Sequence, residues 1–353
     1  MKKFVSLGLA SVMAISLTAC GSTSSSTAQA DSSSAESTST ESTTDESSST
    51  ETSTASGLKV ALLLSGAAND QGWNQSAYEG ALAACEKYGY ELSYSENLTT
   101  ADIASAFADY ASSGYDVIIG HGYEFGDPAL EVAETYPDVK FICTEADASA
   151  DNVASYVMAC EQTAYVEGII AASTSKSGKI GAIGPIQGDS LVKIINGYED
   201  GAKSVNPDID VQTAWTNSYT DTQLAQEAAK AMIENGADVI KHCANACGNG
   251  AISAAVDANV WCQGDSYDQS SLAPDNILDS ALYNLDVVLD IALGTVADGS
   301  FTGDVYNLGM ADGAVEVLLS DNLSDDVKAT AEEAIEKIKS GELEVVRDYT
   351  VRE

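Results

Sequence analysis

In this 353-residue sequence, polar and aromatic side chains gather where the short apolar runs end. Asn69, Asp70, Trp73 and Asn74 follow the first run. His121, Tyr123 and Glu124 follow the third, and Glu145 the fourth. Asn217, Tyr219 and Asp221, then His242, then Asp265 follow later runs. Carboxylates and amides alternating with aromatic rings suit the capture of a flat, hydrogen-bonding small molecule, because a ring face stacks while a carboxylate accepts from an amine or hydroxyl. Trp73 has a second reading, as a ring that packs the first helix onto the core. Motifs of covalent or phosphate chemistry are missing. Ser65-Gly66-Ala67-Ala68-Asn69-Asp70-Gln71-Gly72 carries neither a dinucleotide fingerprint nor a phosphate loop, and Pro185 interrupts Gly181-Ala182-Ile183-Gly184. There is no GxSxG elbow. With two His in the chain, a His-based triad or multi-His metal centre has few options.

His242, Cys243, Cys247 and Cys262 fall near two adjacent run ends and offer soft ligands or a redox pair. No CxxC spacing occurs among them, and cysteine is a common small buried hydrophobe. The expectation is plain packing, with no metal and no cofactor. Cys85, Cys143 and Cys160 read as core residues.

The elements that must position these groups alternate strand with helix. Strand signals lie at Lys59–Leu64, Glu91–Tyr94, Asp116–Ile119, Lys140–Cys143 and Ala154–Met158. Between them come helical patterns at Gln75–Tyr88 (Tyr78, Leu82 and Cys85 on one face), Ala101–Ser113 and Pro128–Tyr136. The rhythm restarts with strands Lys179–Ile183, Asp210–Trp215, Asp238–Ile240 and Val260–Gln263, and helices Ser190–Ser204, Thr222–Asn235 and Gly250–Asp257. Two runs of one pattern predict an α/β fold of two similar lobes with parallel sheets, whose ligands bind beyond the carboxyl ends of the strands. A helix at Asp325–Ser340 and an edge strand at Glu342–Val351 close the chain.

Charge narrows the partners. Sixteen Lys and Arg stand against 54 Asp and Glu, a net charge of −38, which repels phosphate backbones and anionic headgroups and argues against nucleic acid. The first 19 residues read as an export signal: Met1-Lys2-Lys3, an apolar stretch from Phe4 to Leu17, then Thr18-Ala19 before Cys20. Leu17-Thr18-Ala19-Cys20 matches a lipobox, so cleavage before Cys20 and lipidation of its thiol are expected. The apolar stretch is short for a spanning helix, which needs about 20 residues. Residues 20–57 follow as a Ser/Thr-rich tether that cannot bury enough apolar surface to offset its ordering entropy. Six acids lie in it (Asp31, Glu36, Glu41, Asp45, Glu46 and Glu51), so the acidity belongs to the folded part.

An ordered set of motifs over about residues 58–345 resembles the basic membrane protein (BMP) family of substrate-binding lipoproteins of ABC importers. Asn69-Asp70-Gln71-Gly72-Trp73-Asn74 with Gly80 is similar to N-D-x-[GS]-F-N…G. Tyr136–Phe141 resembles YPDVKF, and Glu161–Gly168 resembles E-Q-x-A-Y-L-A-G. Trp215–Asp221 resembles W-x-G-S-F-x-D, and Gly264–Gln269 resembles G-x-D-x-D-Q. The resemblance implies a type I periplasmic-binding-protein fold that closes on a purine nucleoside by hinge motion. It implies that Trp73 and Tyr219 sandwich the base and that Asp70 and Asn74 meet its edge beside Asn69. Asp265 would take the ribose hydroxyls, and Glu145 stands where the family has Asp. It also implies permease and ATPase partners, a membrane attachment through lipid alone, and a monomer.

Departures mark the ligand as open. Tyr283, in Ser280-Ala281-Leu282-Tyr283, occupies the place of a lysine expected on a helix. Lobe crossings are expected near Cys160, Asp265 and Gly303, giving 58–160 plus 265–302 as one lobe and 161–264 plus 303–353 as the other. The same fold used as a ligand sensor, or a lipid-tethered enzyme using Asp265 and Asp268, are the competing readings.

Overall fold

The computed structural model describes residues 57–70 and 72–352. The export signal, Cys20 and the tether to residue 56 lie outside the described residues.

The first half of the chain runs β1 (Lys59–Leu64), α1 (Trp73–Tyr88), β2 (Glu91–Ser95), α2 (Ile103–Ser112), β3 (Val117–His121), α3 (Gly126–Ala133), β4 (Lys140–Thr144) and β5 (Val153–Met158). It continues through α4 (Cys160–Thr174), β6 (Lys179–Gly184), α5 (Asp189–Val205), β7 (Asp210–Trp215), α6 (Thr222–Glu234), β8 (Val239–His242), α7 (Asn249–Ala258), β9 (Trp261–Gly264) and β10 (Ile277–Tyr283). The last elements are α8 (Leu285–Ala297), β11 (Val305–Leu308), β12 (Val315–Leu319) and α9 (Asp325–Ser340).

These strands form two six-stranded sheets. The first has the order β11-β5-β4-β3-β1-β2 and is parallel throughout. The second has the order β12-β10-β9-β8-β6-β7, with β12 antiparallel to β10 at its edge. Central strands such as β1 and β3 are buried on both faces, which is why they read as unbroken apolar runs. In β1, Val60, Leu62 and Leu64 meet α1 and α8, while Ala61 and Leu63 meet Phe107 of α2 and Phe125 beside α3. In the second sheet, Ile180 and Val239 face α4 and α5, whereas Ile183 and Ile240 face α6 and α7.

α9 shows how local sequence sets an element's limits. The Ser324 hydroxyl accepts from the Val327 amide, Asp325 and Asp326 sit in the first turn, and Lys337 and Lys339 in the last, all complementary to the helix dipole. Gly341 then takes a left-handed φ of 75° and stops the helix.

Four expectations are corrected. α1 buries Ala77, Gly80, Ala81, Ala84 and Cys85, while Leu82 stays 37% exposed. The cause is the close crossing of α8, where a Cβ on Gly80 would lie 2.8 Å from the Asp286 Cα, so the small-residue face makes the contact. Ser280–Tyr283 is strand, the end of β10. Residues 342–351 form no strand but lie along α5, where the Asn196 carboxamide donates to the Asp348 and Thr350 carbonyls. Finally, β10 pairs with β9 in the second sheet and β11 with β5 in the first. The second crossing therefore follows Tyr283 and the third follows Leu308, in place of Asp265 and Gly303.

Candidate functional site

The candidate side chains lie at or just beyond the carboxyl ends of the strands, and the backbone there is bent hard. Of the six non-glycine residues at positive φ among the described residues, four follow β4, β7, β8 and β9: Glu145, Asn217, Asn245 and Ser266. Non-glycine residues in this region are costly and cluster where a loop must aim a group.

On the first sheet, Asp70 organises the loop after β1. One carboxylate oxygen accepts from the Gly72 and Gln75 amides (2.9 and 3.0 Å). The other accepts from the Asn74 amide and carboxamide (3.2 and 2.9 Å). Burial alone would raise this carboxyl's pKa, but the donors, Asn74's carboxamide foremost, outweigh it and hold the pKa below the usual range. Asn74 is itself buried, its oxygen accepting from the Gly66 amide at 3.1 Å. Asp70 and Asn74 therefore hold α1 and its loop in place, while Asn69 is exposed. Trp73, the first residue of α1, is half-buried and stacks on His121, with ring centroids 4.3 Å apart and planes 27° apart.

Glu145 is directed away from that group. One oxygen accepts from the Met158 amide at 2.7 Å, and the other lies 3.5 Å from the Lys193 ammonium. Lys193 comes from α5 of the other lobe, is 1% exposed, and also donates to the Met158 carbonyl at 2.7 Å. Glu161 at the start of α4 lies 3.7 Å from Lys193 and accepts from Arg347 Nε at 2.8 Å, and Arg347 also bonds the Asn307 side chain on β11. Burial works against the Lys193 charge, but Glu145 and Glu161 more than offset it and raise its pKa. This charge cluster ties the lobes together at the first crossing.

On the second sheet, Tyr219 is 41% exposed beyond β7, and its backbone carbonyl accepts from the Cys247 amide. Its phenol is pushed up to about 12, first by partial burial, then by the neighbouring Tyr123 and Glu124 of the first sheet. Asn245, beyond β8, reaches the opposite loop: a Cβ on Gly72 would sit 2.7 Å from its carboxamide oxygen. Asp265 is 4% exposed and accepts from the Tyr283 hydroxyl at 3.0 Å and the Ser266 hydroxyl at 2.8 Å. Gln269 fixes it from behind, its carboxamide oxygen accepting from the Asp265 amide (2.9 Å) and from His242 Nε2 (3.0 Å).

The structure thus brings Asp265 and Tyr283 together, sets Asp70 and Asn74 around Trp73, places Tyr219 opposite on the second sheet, and puts Glu145 in the interlobe cluster. The cysteines hold separate positions: the Cys247 thiol donates to the Asp221 carbonyl at 2.9 Å and that of Cys262 to the Asn276 carbonyl at 3.6 Å. Lys193, Thr144 and Asn245 escape sequence reasoning. Lys193 did leave a signal, as the one charge in Leu191-Val192-Lys193-Ile194-Ile195. Beneath Asp265, Lys241, Gln263 and Asp279 stand on three adjacent strands under Glu167 of α4. Lys241 lies 2.5 Å from Glu167, and Gln263 donates to Asp279 at 2.8 Å. Burial raises the pKa of both carboxyls in this fully buried row.

Comparisons with known proteins agree with this arrangement. The profile of the Bmp family, described as ABC transporter substrate-binding protein PnrA-like, matches residues 58–348. A purine-binding protein of Brucella abortus is 33% identical over 289 residues, spanning 81% of this chain and 82% of the relative. The ABC transporter nucleoside-binding protein BmpA of Lactococcus lactis is 30% identical over 312 residues, 82% of this chain and 89% of the relative. Among solved structures, an ABC transporter solute-binding protein from Aeropyrum pernix superposes with a TM-score of 0.72 at 25% identity, covering 82% of this chain and 94% of that one. The two sheets are the lobes of a type I periplasmic-binding fold, and the chain belongs to the Bmp family of PnrA-like ABC transporter substrate-binding proteins.

Proposed function

We propose that this substrate-binding protein captures a purine nucleoside, or a closely similar flat polar ligand, between its lobes and delivers it to an ABC permease and its ATPase. What supports the reading is an aromatic side chain beyond a strand end of each sheet, Trp73 after β1 and Tyr219 after β7. Stacking a base on such rings contributes about 1–3 kcal/mol per base. Asp265, buried and already turned toward hydroxyl donors, suits ribose hydroxyls, while Asp70 and Asn74 act through the loop that presents Trp73. The names of the purine-binding and nucleoside-binding relatives support the ligand class. The receptor retains its ligand unchanged, works as a monomer and is held at the membrane by lipid on Cys20.

Isothermal titration calorimetry of protein unfolded and refolded to strip carried-over ligand tests this. The probes are adenosine, guanosine, inosine, cytidine and ribose. One-to-one purine nucleoside binding, weakened by Trp73→Ala, is the expected result. No heat with any nucleoside from folded protein overturns the purine reading. For the anchor, metabolically supplied palmitate should label the wild-type chain and not Cys20→Ala.

A further inference from the structure

We infer that His121 is a positioning residue which turns Trp73 into a preassembled stacking platform on the first lobe. This rests on the stacking role proposed above for Trp73.

The imidazole is fully buried and satisfied at both edges. Nε2 lies 3.2 Å from the Trp73 carbonyl, which can only accept, so Nε2 carries the proton. Nδ1 is left to accept from the Thr144 hydroxyl at 2.8 Å, and that hydroxyl oxygen in turn accepts from the Gly122 amide at 3.1 Å. One neutral ring thereby links the ends of β3 and β4 to the first residue of α1. Its face lies under the indole at 4.3 Å and covers one side of Trp73. A side chain held by stacking and through its own backbone carbonyl has its orientation settled before ligand arrives, which removes part of the ordering cost of binding. Tyr219, at 41% exposure, has no such backing ring among the described residues. The two aromatics are therefore unequally backed.

The test uses the whole protein, with calorimetry of guanosine and adenosine beside acrylamide quenching of Trp73 fluorescence. The Trp73 signal is isolated by difference from Trp73→Phe, because Trp215 and Trp261 also emit. His121→Ala should weaken binding about threefold to tenfold, the worth of one aromatic contact, and make the indole more accessible to acrylamide in ligand-free protein. His121→Phe, which keeps a ring beneath the indole, should restore most of both. Unchanged affinity or unchanged quenching in folded His121→Ala overturns the inference. Should the histidine variants fail to fold, Thr144→Val decides between the same two results, because it unpairs Nδ1 while keeping the side-chain volume. A wild-type protein that binds no purine overturns the proposed function instead, and the quenching comparison still reads whether His121 holds Trp73.

Discussion

Lys193→Met tests the interlobe cluster most directly. The substitution keeps the length of the buried stem and deletes the charge. It leaves Glu145, whose side chain is 8% exposed, with the Met158 amide as a donor, and leaves Glu161, at 3%, with Arg347. An ion pair at 3.5 Å in an effective dielectric near 20 is worth about 4–5 kcal/mol. Orphaning one partner of a buried pair costs about 3–5 kcal/mol. At about 2 °C per kcal/mol for a domain of this size, the melting temperature at pH 7 should fall by about 6–10 °C. A second substitution separates this cause from lost packing. Glu145→Gln in the same background removes the orphaned charge and keeps the side-chain shape, so scanning calorimetry at pH 7 should show it recovering much of the deficit. A loss under about 2 °C, or one that Glu145→Gln does not relieve, would refute the cluster's electrostatic role.

Asp70→Ala removes the acceptor of four hydrogen bonds at the start of α1 and should cost about 1–2 kcal/mol in chemical denaturation, with purine affinity falling as Trp73 loses its footing. Burial lowers the pKa of His121 to about 3, so below pH 6.5 the unfolded chain takes up a proton that the folded one refuses. Stability should therefore drop with falling pH, by about 1.4 kcal/mol from this residue on reaching pH 5.5, and His121→Phe should lack that share of the slope. Tyr283→Phe frees one Asp265 oxygen at a stability cost of about 1–2 kcal/mol. If Asp265 receives ribose, calorimetry should show nucleosides gaining affinity relative to free bases. Gly197→Ala places a Cβ 2.7 Å from the Glu161 carbonyl at the α4–α5 crossing and should destabilise by about 1–3 kcal/mol in a thermal melt.

Much of this fold was legible because burial of apolar groups writes a period into the sequence. β1 and β7 fall on their expected residues, and the restart of the strand–helix rhythm at Lys179 marks the second sheet. Trp73 and Tyr219 could be placed on opposite lobes from their positions after β1 and β7 alone. Buried charge was harder to read. β10 carries Asp279 at full burial, and an acid there spoils the apolar run that would mark a strand. Glu145 looks like any loop carboxylate until Lys193, 48 positions away, is brought to it by the packing of α5. The crossings were misplaced for a related reason: pairing between β11 and β5 depends on register across about 150 residues, which no local pattern records.

The route of the last residues bears on how such a protein could be instrumented. The segment after α9 is fastened to the second lobe through Asn196 and through Arg352 on Asp200, yet its Arg347 also touches Asn307 on the first. A chain end anchored on one body and resting against the other behaves like the stylus of a gauge. A fluorophore attached at exposed Glu344, paired with an acceptor on the first lobe near Asn307, would read the separation of the lobes in real time. It would do so with Trp73 and Tyr219 left unaltered.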